Sequence, residues 1–330
     1  MVIGASFGIT LPHVQPPLYD MSLHAVKRKL SRLRRSMRAI LSHPLTQRDK
    51  TGALLRYVRF HLVHALFPEA AVYQWIGGLR FYAKPGCGGI AGNIYMGLAD
   101  FEVAGFLLHF LCESDVFCDV GANVGAYTLL ASGLRKARTI AVEPIQATFK
   151  MLERNLLLNE ISGLVSAKNI AAGASKSRLM FTEDLDALNR VAVREDKSRD
   201  RLVEVDVLPL DEILQMTVPL LLKVDVEGFE PQVLSGATRT LTDPRLKAII
   251  IETMGHEERY GYAPEVVHNA LVRKGFVLCA YQPFTRKIER CPNSPAGKAS
   301  NSNSLYLRDL EFAEKRIASA PAVEVLGSRF

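Results

Sequence analysis

The sequence predicts an α/β fold, a parallel sheet covered by helices on both faces. Three observations lead there. Residues 116–130 (VFCDVGANVGAYTLL) run as an apolar strand to Asp119, break at Gly121, Asn123 and Gly125, then resume as a helical pattern. Residues 139–143 form a second apolar strand that ends in an acid, Glu143. From there to about residue 310, strand-like and helix-like runs alternate, the pattern of a sheet with its ligands at the strand C-terminal ends.

Each element has its own signal. Residues 1–20 read as an extension; they contain Pro12, Pro16 and Pro17 and lack a basic start, which fits a secretory signal poorly. Residues 22–41 place Leu23, Val26, Leu30, Leu33, Met37 and Ile40 on one stripe with arginines elsewhere. That helix suits docking on the main domain or weak contact with an anionic membrane surface. A second helix covers 51–66 and stops at Pro68. Residues 74–94, rich in glycine and aromatics, predict short strands and turns rather than helix. A helix at 97–111 carries His109.

Helix 144–159 opens with Pro144 in its first turn, where a missing N–H costs nothing. A strand at 164–170 runs into Ala171. Two extra strands, 179–182 and 202–207, flank a polar loop. Then follow strand 220–226, helix 229–241, strand 248–251, helix 264–274 and strand 276–281. Residues 304–307 supply the last strand, and 311–330 a helix with a loose tail.

A chain of 330 residues can bury a large core, and its composition is ordinary for a globular protein. Its formal charge of +7 is unevenly placed. Residues 21–60 carry eleven Lys or Arg against the single acid Asp49, so that segment is +10 and the remainder is −3. A nucleic-acid partner would have to rest on that segment alone, and none is predicted. The five cysteines show no metal or redox spacing, and Cys118 and Cys279 sit in apolar runs. A reducing, cytoplasmic setting follows. No apolar run approaches the roughly 18 to 20 residues of a membrane span.

Chemistry concentrates at three strand ends. The first is the Asp119 turn, where glycines let backbone approach a ligand closely. Its spacing is not G-x-G-x-x-G, and no Tyr-x-x-x-Lys pair is present, which argues against a nicotinamide oxidoreductase. The second is Glu143, 24 residues on, placed to accept from two vicinal ribose hydroxyls. The third is Leu221-Leu-Lys-Val-Asp-Val-Glu-Gly228, where Lys223, Asp225 and Glu227 interrupt an apolar strand and its exit. Buried unpaired, each would cost several kcal/mol, so they pair or face a cleft. Alternation puts Lys223 and Asp225 on one face.

Together, DVGANVGAYT at 119–128, Val142-Glu-Pro144, Asn155 through Asn159 and Leu222-Lys-Val-Asp-Val-Glu-Gly228 resemble the FkbM-type S-adenosylmethionine-dependent methyltransferases. Glu252 after Ile249-Ile-Ile251 and Asn303-Ser-Leu-Tyr-Leu307 fit the same pattern, and the resemblance covers roughly residues 95–310. It implies the class I methyltransferase fold, with seven strands and the last one antiparallel beside the fifth. It also implies S-adenosyl-L-methionine over the 121–125 turn and O-methylation of a hydroxyl on a sugar, glycan or natural product. The cofactor-binding residues would be Asp119, Gly121, Asn123, Gly125, Tyr127, Glu143, Pro144, Ala171 and Asp225. The organisation becomes a basic extension (1–70), a substrate rim (71–112), the cofactor domain (113–310) and a tail (311–330). The family often carries a histidine one or two residues after the fifth-strand acid; here Thr253 and Met254 intervene and the histidine is His256.

Methyl transfer to an alcohol needs an aligned acceptor and a base for its proton. Asp225, Glu227 and His256 are the catalytic candidates, with Asp225 or His256 taking the proton. No metal is predicted: Asp225 and Glu227 could ligate magnesium, but no third ligand is evident in the sequence. The competing readings are a catalytically silent protein of the same fold and a nucleic-acid methyltransferase.

Overall fold

The computed structural model describes residues 33–66, 71–84, 88–183, 189–193, 196, 201–253, 256–291 and 303–330. The first half of the expected 22–41 helix lies outside these residues; 33–42 are helical. Helix α1 (Lys50–Leu66) follows, then the hairpin β1 (Ala71–Gln74) and β2 (Arg80–Ala83), and helices α2 (Gly88–Met96) and α3 (Phe101–Phe110). Next come β3 (Val116–Val120), β4 (Arg138–Val142), α4 (Gln146–Leu158), β5 (Val165–Lys168), β6 (Ala171–Gly173), β7 (Ser177–Thr182) and β8 (Leu202–Pro209). The chain continues with β9 (Leu221–Val224), α5 (Glu230–Ser235), β10 (Ala248–Glu252), α6 (Val266–Arg273), β11 (Val277–Gln282), β12 (Lys287–Arg290), β13 (Asn303–Leu307) and α7 (Leu310–Ser319).

The main sheet runs β12-β11-β13-β10-β9-β3-β4-β5. Strands β5, β4, β3, β9 and β10 are mutually parallel, and β13 lies antiparallel between β10 and β11. The sheet therefore has eight strands rather than seven. The addition is β12, which pairs with β11 through a short turn and closes that edge. Separately, β6, β8 and β7 form a three-stranded sheet.

Alternation along the central strands sorts the core. Phe117, Leu221, Ala248 and Ile250 pack to one side with Phe106, Phe110 and Tyr281. Cys118, Leu222, Val224, Ile249 and Ile251 pack to the other with Leu234, Leu271 and Phe276. Both faces are dry, which is why these strands read as continuous apolar runs.

Four expectations are corrected. Residues 88–96, read as strands and turns, are helical: Ile90 is fully buried, and the Asn93 side chain accepts from the Ala99 N–H just past the helix. Packing overrides the poor helix propensity of three glycines. Pro144 lies outside α4, because Ile145 is extended and gives its N–H to Glu143. Helix 229–241 breaks at Gly236, where a Cβ would lie 1.9 Å from the Gly173 carbonyl oxygen. The tail is not loose: Glu324–Val325 pairs with Ser328–Arg329, and Phe330 is buried against the rings of Phe101 and His109.

His109 is buried in α3, with its Nδ1 2.6 Å from the Tyr281 hydroxyl, and so belongs to the core. Phe330→Ala should cost about 3 kcal/mol by removing a buried ring. Urea unfolding checks this, and an unchanged midpoint would show that the tail does not support the fold.

Candidate active site

Strand register assembles the site. Asp119 on β3 lies beside Lys223 on β9, and Val120 beside Val224, so the two charged side chains share one face. The Lys223 ammonium is buried and donates to Asp225 Oδ2 at 2.9 Å, so of the two outcomes expected for these charges, pairing or facing a cleft, this pair takes the first. Its Nζ also lies 4.8 Å from the centre of the Tyr127 ring. Burial opposes the charge on Lys223, yet Asp225 and Asp119 together raise its pKa on balance. Asp119 accepts from Thr128 Oγ1 at 2.7 Å, tying the helix after the turn to β3. Its other oxygen is buried without a hydrogen-bond partner. Burial drives the Asp119 pKa upward despite Lys223 and Thr128.

The turn itself departs from the expectation that its amides face a ligand. Gly121 and Ala122 both donate to the Val142 carbonyl, Asn123 donates to Glu143 Oε2 at 3.0 Å, and Val124 donates to the Asn123 side chain. Gly125 donates to Ala122. These N–H groups are used within the protein. The glycines serve packing as well: a Cβ on Gly121 (φ +78°) would lie 1.9 Å from the Asp225 carbonyl oxygen. One on Gly125 (φ +96°) would lie 2.6 Å from Leu152. Asn123 is itself left-handed, at φ 50°.

Glu143 is the clasp. It takes one N–H on each oxygen, from Asn123 and from Ile145 at 2.9 Å. A carboxylate has about four acceptor positions, and these two amides occupy two of them. Burial pushes its pKa up to about 7, against the pull of those two amides. Pro144 is held from behind, where Asn169 donates to both the Glu143 and Pro144 carbonyls. Ala171 is buried in β6 beside Val207 and packs with Ile145 and Phe181.

Sequence reasoning passed over Asp100. In a run such as Ala99-Asp-Phe it resembles a helix cap, but its side chain makes no cap bond and instead accepts from the Tyr127 hydroxyl at 3.0 Å. Burial and then Asp225 raise its pKa. Asp100, Asp119, Glu143 and Asp225 thus gather around one ammonium.

Beyond Asp225 lies a second group. Glu227 has φ 57°, and Gly228 has φ 101° and packs so tightly that a Cβ would lie 2.5 Å from the His256 carbonyl oxygen. That approach brings His256 Nδ1 to 3.2 Å from Glu227 and 3.7 Å from Glu252. Burial lowers the His256 pKa, holds Glu227 at about 7 and pushes Glu252 well above the carboxylate range. Glu230 accepts from the Val226 N–H at 2.8 Å, and burial raises it to about 8.

An α/β sheet with an acid at the end of each central strand defines a class of ligand-binding protein whose site lies on that edge. Within that class, residues 119–278 match the model of the methyltransferase FkbM domain, which spans just under half of the chain. The chain is 30% identical over 143 residues to the hexuronic acid methyltransferase AglP of Haloferax volcanii, covering 42% of this chain and 57% of that protein. It is 28% identical over 196 residues to Methyltransferase 1 of Beauveria bassiana, covering 52% and 76%. Among solved structures, methyltransferase FkbM from Methylobacillus flagellatus aligns with a TM-score of 0.41 at 17% identity, covering 66% of this chain and 52% of that one. The match to AglP spans little more than half of that relative's length. Among the described residues, no helix is long and apolar enough to cross a membrane.

Glu230 gives a pH-dependent stability with a defined sign. Its folded pKa of about 8 exceeds the ordinary 4.5, so its favourable contribution is complete below about pH 4.5 and is lost as pH rises through 8. Glu230→Gln keeps the acceptor for Val226 and should raise the unfolding midpoint at pH 8.5 but not at pH 5. Equal shifts at both pH values would refute the assignment.

Proposed function

We propose that the chain is an S-adenosyl-L-methionine-dependent methyltransferase acting on a hydroxyl of a sugar, glycan or natural product. The observation that carries this reading is the carboxylate of Glu143, fixed by two backbone amides and still offering acceptor positions. Charge supports it as well. Four carboxyl groups around one ammonium, three of them with pKa values raised by burial, would gain from a ligand bearing a sulfonium and an ammonium. The name of AglP specifies a hexuronic acid, which favours a sugar acceptor here.

S-adenosyl-L-methionine would supply an electrophilic methyl on a cationic sulfur. The protein's tasks are to bind, to align and to handle one proton. Glu143 would hold the ribose, with the 121–125 backbone and Pro144 against it. Asp119 and Tyr127 shape the floor, and Ala171 packs below. Asp225, steered by Lys223, faces the reacting end and takes the acceptor proton, a role typically worth about 10² to 10⁴ in rate. Glu227 and His256 border the acceptor side. Residues 113–310 form the cofactor domain, 71–112 its rim and 311–330 a supporting tail. On α1, Leu55, Val58, Leu62 and Leu66 are exposed amid arginines, which fits a peripheral contact of the basic extension.

Calorimetric titration tests the cofactor. The wild-type protein should bind S-adenosyl-L-methionine and not NAD, and Glu143→Ala should weaken binding about 10- to 100-fold, the loss of a charge-assisted hydrogen bond or two. Preference for NAD would overturn the reading. Asp225→Ala should reduce turnover at least about 10²-fold with its circular dichroism unchanged; retained turnover would remove Asp225 from the chemistry.

A further inference from the structure

The group at the ends of β9 and β10 has no task in that reading beyond bordering the acceptor. Glu227, Glu252 and His256 offer one ligand atom each, all within 4.8 Å of one another. Glu227 follows β9, Glu252 ends β10, and His256 opens the next turn. Three potential ligand atoms from three positions thus share one small volume.

Their internal bonding does not account for this. The imidazole Nδ1 is 3.2 Å from one carboxylate and 3.7 Å from the other, yet it is buried and makes no hydrogen bond to either. Glu252 is 5% exposed, and its Oε2 is buried without a hydrogen-bond partner. Among the described residues, Lys223 donates to Asp225, Arg190 to Asp196 and Arg259 to the Glu227 backbone carbonyl, and all three act on the Glu227 side chain through their charge. A buried carboxyl group with an unpartnered oxygen, set beside an unpartnered imidazole nitrogen, is costly unless something binds there.

We propose that Glu227, Glu252 and His256 bind a divalent first-row transition ion at the acceptor end of the site. Ligands at about 2.0 to 2.2 Å from such an ion stand roughly 3.0 to 3.4 Å apart, close to the spacing around Nδ1. The imidazole favours manganese, iron or zinc over magnesium or calcium. Three protein ligands leave positions open for an oxygen of the acceptor. A hydroxyl beside a carboxylate or a second hydroxyl would bind there in chelating fashion. This deepens the methyltransferase reading by naming the acceptor's chemistry, but the ion site itself does not depend on it.

The probes are manganese and zinc, added to the full chain after chelator treatment and tag removal. Manganese is followed by electron paramagnetic resonance and zinc by competition with a chromophoric chelator. One equivalent should bind per chain, and excess magnesium should not displace it. Glu252→Gln and, separately, His256→Ala should weaken binding at least tenfold, and neither variant should show the rise in unfolding midpoint that the metal gives the wild type. No binding at millimolar metal, or undiminished binding in both variants, would overturn the site. Calorimetry with S-adenosyl-L-methionine on chelator-treated protein reads the methyltransferase assignment separately, because Glu143 lies outside this cluster.

Discussion

One buried ammonium organises the ligand edge of this protein. Lys223 stands on the central strand β9, beside Asp119 in register and 2.9 Å from Asp225. A lysine here cannot discharge its cost by reaching water, since its side chain is 3% exposed. It is retained because Asp225 and Asp119 stand beside it and raise its pKa on balance. Breaking one partner of such a buried pair strands the other, at a cost of about 3 to 5 kcal/mol.

The backbone enforces the same geometry from beneath. Strands β3 and β9 converge until Gly121 touches the Asp225 carbonyl, and the turns after β9 and β10 converge until Gly228 touches that of His256. Each contact excludes a side chain, and each pulls an acid toward its neighbour. The first joins the Asp119 and Asp225 strand ends. The second brings Glu227 to Glu252 and His256. Glycine at these two positions is a requirement of chain packing, and the site geometry follows from it.

This explains what could be read in advance. The strand-end acids were legible because each is an acid closing an apolar run, a signal local to a few residues. The Lys223–Asp225 pair was legible through period-two alternation. The use of the turn amides was not, because Val142 and Glu143 take them up from another strand, and no local pattern encodes that. Asp100 was missed because its partner, Tyr127, is 27 residues away. The 227–252–256 grouping spans two strand ends and depends on a left-handed glycine, so its members could be nominated singly but not as a set. Helix 88–96 and the buried Phe330 fail for a related reason: long-range packing outweighed local propensity.

The edge thus divides into two electrostatic halves that meet at Asp225. On one side, Asp100, Asp119 and Glu143 outnumber the single ammonium, and burial raises the pKa of each. On the other, Glu227, Glu252 and His256 face one another, burial raising the pKa of both carboxyls and lowering that of the imidazole. Asp225 sits at their junction: Lys223 holds one of its oxygens at 2.9 Å, and the charge of Asp225 raises the pKa of Asp100 and Asp119 on one side and of Glu227 and Glu252 on the other. The two halves are thus coupled through one carboxylate whose position a single lysine fixes.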